Sequence, residues 1–435
     1  MFIFLYTVFR NSSISDEHVF CVALHFTIGQ KKEKVPIVRF RDFSEPWLKN
    51  QLSEVAEFSK GKGYSKKDLK SHGTPIILYG RLYTNYESEI SKIETYAKLE
   101  ENSVVSEGGE VIIPSSGESA DDISRASCVI DRGIILGGDL NIVRPHEYLN
   151  SSFIAITLSN GSQQRELSKR AQGKSVVHLH NSDLKSVKLF YPSYEEQTAI
   201  GSLFRTIDDL LASYKNNLAN YQSLKATMLS KMFPKAGQTV PEIRLDGFEG
   251  EWEIKKFKSI SNKRGKSNSK EYDYPAYSVS NQNGLIPQSE QFEGSRLENL
   301  EKTSYKIVEP NEFAYNPARI NVGSIAFNNL DETVIVSSLY VIFSLDKSIN
   351  NNYALLFIKS PEFNKEVRRN TEGSVREYLF YENFANIRIP IPSSLEEQQA
   401  IGSYFSNLDN LIAAHQEKIS QLETLKKKLL QDMFV

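Results

Sequence analysis

Ser193-Tyr194-Glu195-Glu196-Gln197-Thr198-Ala199-Ile200-Gly201-Ser202 returns further along the chain as Ser394-Leu395-Glu396-Glu397-Gln398-Gln399-Ala400-Ile401-Gly402-Ser403. The match continues through Phe204/Phe405, Asp208/Asp409, Leu224/Leu425, Lys225/Lys426 and Met232-Phe233/Met433-Phe434. An earlier block, Val35-Pro36 with Arg39, Phe43 and Trp47, recurs as Val240-Pro241 with Arg244, Phe248 and Trp252, so the two tryptophans of the chain are equivalent. Agreement at this length and spacing marks an internal repeat. The molecule is two copies of one plan: a short entry motif, a long variable segment, a long helix.

The helices follow from local chemistry. Ser193 with Glu196, and Ser394 with Glu397, form S-x-x-E capping boxes shortly after a proline. Beyond each box apolar residues step by four and three: Ile200, Phe204, Ile207, Leu211, Tyr214, Leu218 and Tyr221 in one copy, Ile401, Phe405, Leu408, Ile412, His415, Ile419 and Leu422 in the other. That sustained period is the coiled-coil pattern. The step slips by one residue at Leu224 and Leu425. A helix from about residue 195 to 232 is roughly 57 Å long, a spacer as much as a core element. His415 occupies the seam without a second ligand at metal spacing and is expected to pack.

Between these elements lie residues 48–191 and 253–391, nearly equal in length and mostly unlike in sequence. Both look α/β. Glu110 to Ile113 and Thr333 to Phe343 read as strands, and Tyr353 to Asn370 reads as one helix. Each insert ends alike, with Gly173 and Gly373 ahead of alternating segments Val187-Lys188-Leu189 and Ile387-Arg388-Ile389. The expected organisation is α+β: an extension over 1–34, an α/β domain over 35–191, a helix over 192–234, a second α/β domain over 235–391 and a second helix over 392–435. The two long helices are expected to run antiparallel as a coiled coil in a pseudo-two-fold repeat. Residues 1–34 lack clear periodicity and are expected to be a loosely attached extension, or the product of an upstream start codon, contributing no chemistry.

With 435 residues, 40% hydrophobic and 24% charged, and 52 basic against 54 acidic side chains, the composition is that of an ordinary soluble protein of several folding units. A net charge of −2 confines any nucleic-acid surface to local patches. Cys21 and Cys128 form neither a CxxC nor a metal cluster, which points to a reducing, cytoplasmic setting. Met1 to Phe9 is too short to span a bilayer. Catalytic motifs are missing where they are sought. Gly173-Lys174-Ser175 lacks the earlier glycine of a phosphate-binding loop, Ser168 standing in its place. Asn316-Pro317-Ala318-Arg319 lacks the second proline and aromatic of an amino-methyltransferase site, and Gly137-Gly138-Asp139 reads as a turn. No cofactor is expected in this chain.

Basic and polar clusters point to DNA. Lys255, Lys256, Lys258, Lys263, Arg264, Lys266 and Lys270 form a run without an acid, and Lys60, Lys62, Lys66, Lys67 and Lys70 occupy the same stage of the first copy. Arg165, Lys169, Arg170 and Lys174 correspond to Lys365, Arg369 and Arg376. Side chains able to read base edges lie nearby: Tyr79 and Arg81 in the first half, and Ser278, Ser280, Asn281, Gln282, Asn283, Asn316, Arg319 and Asn321 in the second. Lys263, Arg264 and Lys266 are expected to meet phosphates. Asn281, Asn316, Arg319 and Arg376 are expected to make the paired hydrogen bonds that discriminate bases. The competing reading makes Tyr315, Asn316 and Arg319 a strand-ending turn braced by an internal salt bridge.

Taken together, the paired P-S-x-x-E-Q-x-A-I-G helix starts (with one extra residue here), the L-K-x-x-x-L-x-x-M-F helix ends and the V-P-x-x-R-[FL]-x-x-F-x-x-x-W entry motifs resemble the specificity subunit of type I restriction-modification systems. The resemblance runs from about residue 35 to 435. Asn311 to Ser338 is also similar to a target-recognition domain of that family. It implies two target-recognition domains, each reading half of a bipartite double-stranded DNA site, and a non-catalytic role beside two methyltransferase and two restriction subunits. Those partners would use S-adenosylmethionine, ATP and Mg. Because Glu196-Gln197 and Glu397-Gln398 are the same in both halves, they are expected to dock two copies of one methyltransferase partner. A coiled-coil scaffold with two protein-binding domains is the alternative.

Overall fold

The computed structural model describes residues 4–5, 24–28, 35–173, 176–281, 284–291, 302–370 and 378–434. The chain forms two compact units, residues 1–215 with 417–435, and residues 216–416.

Both long helices have 38 residues, Tyr194–Lys231 and Leu395–Asp432. Each contributes its first part to one unit and its last part to the other, so each unit contains an antiparallel helix pair. In the first unit Lys215 meets Glu423 at 2.7 Å and Lys426 meets Asp208 at 2.5 Å; in the second, Lys225 pairs with Asp409 and Tyr221 lies edge-on to His415. His415 is thus packed, with Nδ1 against the Leu411 carbonyl. Burial grades along the seam: Ile200, Phe204, Ile207 and Leu211 are buried, whereas Tyr214, Leu218 and Tyr221 are half-buried. The first turns lie against a domain core, and burial thins toward the middle of the helix.

The helix ends explain the repeated Met-Phe. Met433 and Phe434 enter the core of the first unit, where Phe434 meets Trp47 and Phe153. Met232 and Phe233 enter the core of the second, where Phe233 meets Tyr353, the ring against which Trp252 stands edge-on. The equivalent tryptophans therefore seal equivalent cores.

In the first unit a five-stranded sheet has the order Ala56–Lys60, Leu140–Pro145, Glu110–Pro114, Ser127–Val129, Glu89–Ile90, antiparallel except for the last pair. The all-apolar run Val111, Ile112 and Ile113 is buried on both faces, as its lack of alternation requires. A smaller sheet orders Ile135–Leu136, Thr74–Ile77, Tyr96–Ala97 and Leu69–Lys70. The second unit is built around Ser261–Arg264, Val341–Leu345, Phe313–Tyr315 and Ile325–Phe327. In both units the closing segment read as alternating forms a ribbon with the entry strand: Lys188–Tyr191 with Leu48–Gln51, and Arg388–Ile391 with Glu253–Lys256.

Three expectations are corrected. The expected helix over Tyr353 to Asn370 is two helices, Asn351–Ile358 and Pro361–Asn370, because proline cannot continue a helix but suits the first position of a new one. The strand expected over Thr333 to Phe343 is two, Val334–Val336 and Val341–Leu345. Where it is described, the N-terminal extension is paired and not loose. Phe4–Leu5 pairs with Leu24–Ile28, and that strand pairs antiparallel with Val38–Phe40 of the entry motif, Thr27 opposite Arg39. Left unpaired, Val38–Phe40 would offer free backbone groups, and Leu24–Ile28 satisfies them.

Candidate nucleic-acid interface

The repeated motif can be read atom by atom. Ser193 and Ser394 accept from the backbone of Glu196 and Glu397, completing one half of each capping box. The glutamate side chains do not complete the other half. Glu196 takes the Arg39 guanidinium through two bonds of 2.7 and 2.6 Å, with side chains 1% and 7% exposed, and Glu397 takes Arg244 through two of 2.7 and 2.8 Å. Bidentate geometry of this kind is what lets an arginine–carboxylate pair survive burial. Gln197 Oε1 accepts from the Asn150 backbone while its amide donates to the Pro192 carbonyl; Gln398 Oε1 accepts from Asn350 and its amide donates to the Ser348 carbonyl. Asn150 and Asn350 in turn cap the helices beginning at Ser151 and Asn351. Gly201 and Gly402 leave room for those helices, since a Cβ would lie 3.4 Å from Ser152 Cβ and 3.1 Å from Asn352 Cβ.

The docking role expected of Glu196, Gln197, Glu397 and Gln398 is therefore corrected. All four are at most 2% exposed and bond inward, locking the entry motif and insert to the helix. A carboxylate engaged in that way has no surface to offer. Tyr194 and Glu195, and Leu395 and Glu396, are the exposed neighbours.

In the first unit Lys60 ends the edge strand of the large sheet and is exposed. The chain then passes so close to the turn at Gly137 that a Cβ on Gly61 would lie 1.9 Å from the Gly137 carbonyl. Gly63 and Tyr64 both have positive φ, which swings the following segment outward. Lys62, Lys67, Lys70 and Lys98 line the resulting cleft of about 470 Å³. Tyr64 ties its two walls: the hydroxyl donates to the Lys98 carbonyl, accepts from the Glu100 backbone and meets Ser103 Oγ at 2.5 Å. Asp68 caps Ser65 through backbone and hydroxyl, and these bonds hold its carboxyl below the ordinary range. Lys98 was missed because it is isolated in sequence and arrives through tertiary contact.

A larger cleft of about 1320 Å³ in the same unit has Arg125, Arg165, Arg205, Lys215 and Lys426 among its lining. Its acids match them, Glu89 bonding Arg205 at 2.5 and 2.8 Å, so the field there is balanced. Tyr79 is exposed and stands edge-on to Tyr83. Arg81 bonds Glu87 and the Lys92 carbonyl, both at 2.6 Å, and Arg170 bonds Ser186 and Glu166. Both guanidinium groups brace loops here, correcting the expectation of free DNA-reading groups. Lys174 lies outside the described residues, as do Gln282, Asn283 and Arg376.

In the second unit Lys263 and Arg264 lie exposed on Ser261–Arg264, with Lys266 just beyond. Lys263 bonds Glu382 at 2.8 Å, which lowers that carboxyl, and lies over the Tyr381 ring. Arg264 donates to Ser344. Asn316 and Arg319 form the turn after Phe313–Tyr315: Asn316 Oδ1 accepts from the Ala318 backbone, and the Arg319 side chain is exposed without an ion pair among the described residues. The strand-ending turn is present; the brace proposed for it is not. Ser324, which accepts the Asn316 N–H, reaches Val279 of the hairpin whose tip carries exposed Asn281. Asn281, Asn316 and Arg319 are thus linked through Ser324, whereas Lys263 lies level with Phe313 at the other end of that strand, and Arg81 and Arg170 stand apart from the lysine cleft of their unit.

The profile of the type I restriction modification DNA specificity domain matches residues 44–221 and again 249–424. The chain belongs to this family. The MjaVIII specificity subunit of a type I restriction enzyme from Methanocaldococcus jannaschii is 20% identical over 415 residues, covering 89% of this chain and 91% of the relative. The crystal structure of a type I restriction-modification S subunit from M. genitalium aligns with a TM-score of 0.56 at 14% identity, over 92% of this chain and 99% of that one, a likeness of fold. Both matched segments of the specificity family contain an insert and the first part of a long helix. Among the described residues no helix is long and apolar enough to cross a membrane.

Proposed function

We propose that the chain is the non-catalytic DNA-reading subunit of a type I restriction-modification assembly, each unit recognising one half of a bipartite duplex site. The observation that carries this reading is the contrast between frame and face. The Glu–Arg pairs, the glutamine bridges and the glycines of the frame recur in both copies, while the solvent-facing side chains of the inserts differ. A repeated frame with unlike faces suits two readers of different sequence held by equivalent mounts. Exposed lysines around the cleft of the first unit, and Lys263 and Arg264 in the second, supply phosphate contacts, which position without specifying.

Two methyltransferase subunits would meet the equivalent exposed residues at the helix starts, Tyr194 and Glu195 on one and Leu395 and Glu396 on the other. S-adenosylmethionine, ATP and Mg belong to the methyltransferase and restriction partners, and the assembly works in the cytoplasm. The test is selection from a randomised duplex library by the full chain with its methyltransferase partner. Recovery of a split consensus supports the reading; binding all duplexes equally overturns it. A protein-binding scaffold, favoured by the near-neutral net charge, predicts no steep salt dependence of DNA affinity.

A further inference from the structure

His178 and His180 in the first unit, and Tyr378 and Phe380 in the second, occupy the same place in the repeat. In each pair the rings lie nearly parallel, with centroids 6.3 Å apart at 0° for the histidines and 5.8 Å apart at 7° for Tyr378 and Phe380. In each pair the intervening residue, Leu179 or Leu379, is fully buried while both rings are exposed, Phe380 by 53%. The backbone between the rings is pinned in the same way. Leu179 N–H donates to the Ser115 carbonyl and Leu379 N–H to the Pro317 carbonyl; Asn141 donates to the Leu179 carbonyl and the Tyr315 hydroxyl to that of Leu379.

Single exposed apolar side chains need no explanation, but Tyr378 and Phe380 forfeit burial together, and a ring pair is held out at the same place in the other copy. The surroundings indicate what covers them. Asn181, next to His180, bonds the carbonyl of Ser59, the neighbour of Lys60. Tyr381, next to Phe380, bonds the Ser261 carbonyl and carries Lys263 over its ring. Pro317, which holds Leu379, lies between Asn316 and Arg319.

Resting on the bipartite reading above, we propose that these ring pairs are specificity-determining contacts to base edges of duplex DNA, one pair for each half-site. Their chemistry differs as the half-sites would. Tyr378 and Phe380 offer apolar surface suited to a thymine methyl group, whereas His180 and the Nε2 of His178, whose Nδ1 meets Ser116 Oγ at 3.3 Å, offer hydrogen bonds to purine edges.

The experiment starts from the duplex selected by the full chain with its methyltransferase partner. If the wild type selects no bipartite sequence, the underlying reading fails before the ring pairs are tested. Given a consensus, uracil replaces thymine separately in each half-site, removing only the methyl group. Wild-type affinity is expected to fall about three- to tenfold for one half-site. The Y378A/F380A variant is expected to lose that sensitivity and to relax the same half-site, while its affinity for random duplex stays as in wild type. Y378L/F380L should retain part of the thymine preference, and H178A/H180A should relax only the other half-site. Unchanged consensus sequences in both ring-pair variants, or equal losses on selected and random duplex, overturn the proposal. Should the alanine variants melt early, the uracil series on the wild type decides, and indifference to uracil in both half-sites overturns it.

Discussion

Replacing Glu196 by leucine removes two short charged hydrogen bonds from a buried guanidinium. Arg39 and Glu196 share two short bonds with side chains 7% and 1% exposed, so screening by solvent is slight. Removing one partner of such a pair costs about 3 to 5 kcal/mol, whereas replacing both with apolar side chains of similar size is close to neutral. The expected series is therefore a large loss for Glu196→Leu, a large loss for Arg39→Met and a near-recovery for the double variant. With a urea dependence of about 2 kcal/mol/M, the single changes lower the midpoint by about 1.5 to 2.5 M. The assay is urea unfolding followed by tryptophan fluorescence in a Trp252→Phe background, where buried Trp47 reports the first unit alone. A Glu196→Leu loss below about 1 kcal/mol, or a double variant as unstable as the sum of the singles, would refute the view that the pair locks the entry motif to the helix.

Four further outcomes are expected. Changing Lys62, Lys67, Lys70 and Lys98 together to glutamine should lower the log-log salt slope of DNA binding by about 3 to 4 without changing the selected consensus, and an unchanged slope would remove the cleft from the interface. Arg319→Ala should cost about 1 to 3 kcal/mol on selected duplex and relax a single half-site; equal loss on random duplex in the same binding titration argues for a structural role. Gly402→Ala should lower the melting temperature, because a Cβ 3.1 Å from Asn352 Cβ outweighs the gain in helix propensity of about 1 kcal/mol, while Gly201→Ala, whose Cβ would lie 3.3 Å from the capping Asn150 Oδ1 and 3.4 Å from Ser152 Cβ, should cost less. Burial pushes the Cys128 thiol up to about 12, so at pH 8 it stays protonated, and peptide-resolved iodoacetamide labelling should find it unreactive until the protein is unfolded.

The division into two copies, the long helices and their starts were all legible in the chain, because internal identity, capping residues and apolar spacing are local properties. So were the strand at Glu110–Pro114 and, as the competing reading, the turn carrying Asn316 and Arg319, whereas Lys60 and Lys263 were visible only as charge and not as members of edge strands. What Glu196 and Gln197 do was not legible. Their spacing is that of a capping box, yet the glutamate leaves the box for Arg39, far away in sequence, since a carboxylate buried against the domain is better satisfied by a guanidinium than by one N–H. Local pattern likewise could not show that Leu24–Ile28 pairs with Val38–Phe40, or that each Met-Phe end joins a domain core. The candidate interface divides the same way. Runs of lysine are visible as charge, but only the tertiary structure adds Lys98 through the Tyr64 bridge and takes Arg81 and Arg170 away into internal bonds. The paired rings at 178/180 and 378/380 become comparable only once their flanking backbones are seen bonded to equivalent strands, because histidine, tyrosine and phenylalanine share no sequence signature and a ring's exposure is decided by what folds around it.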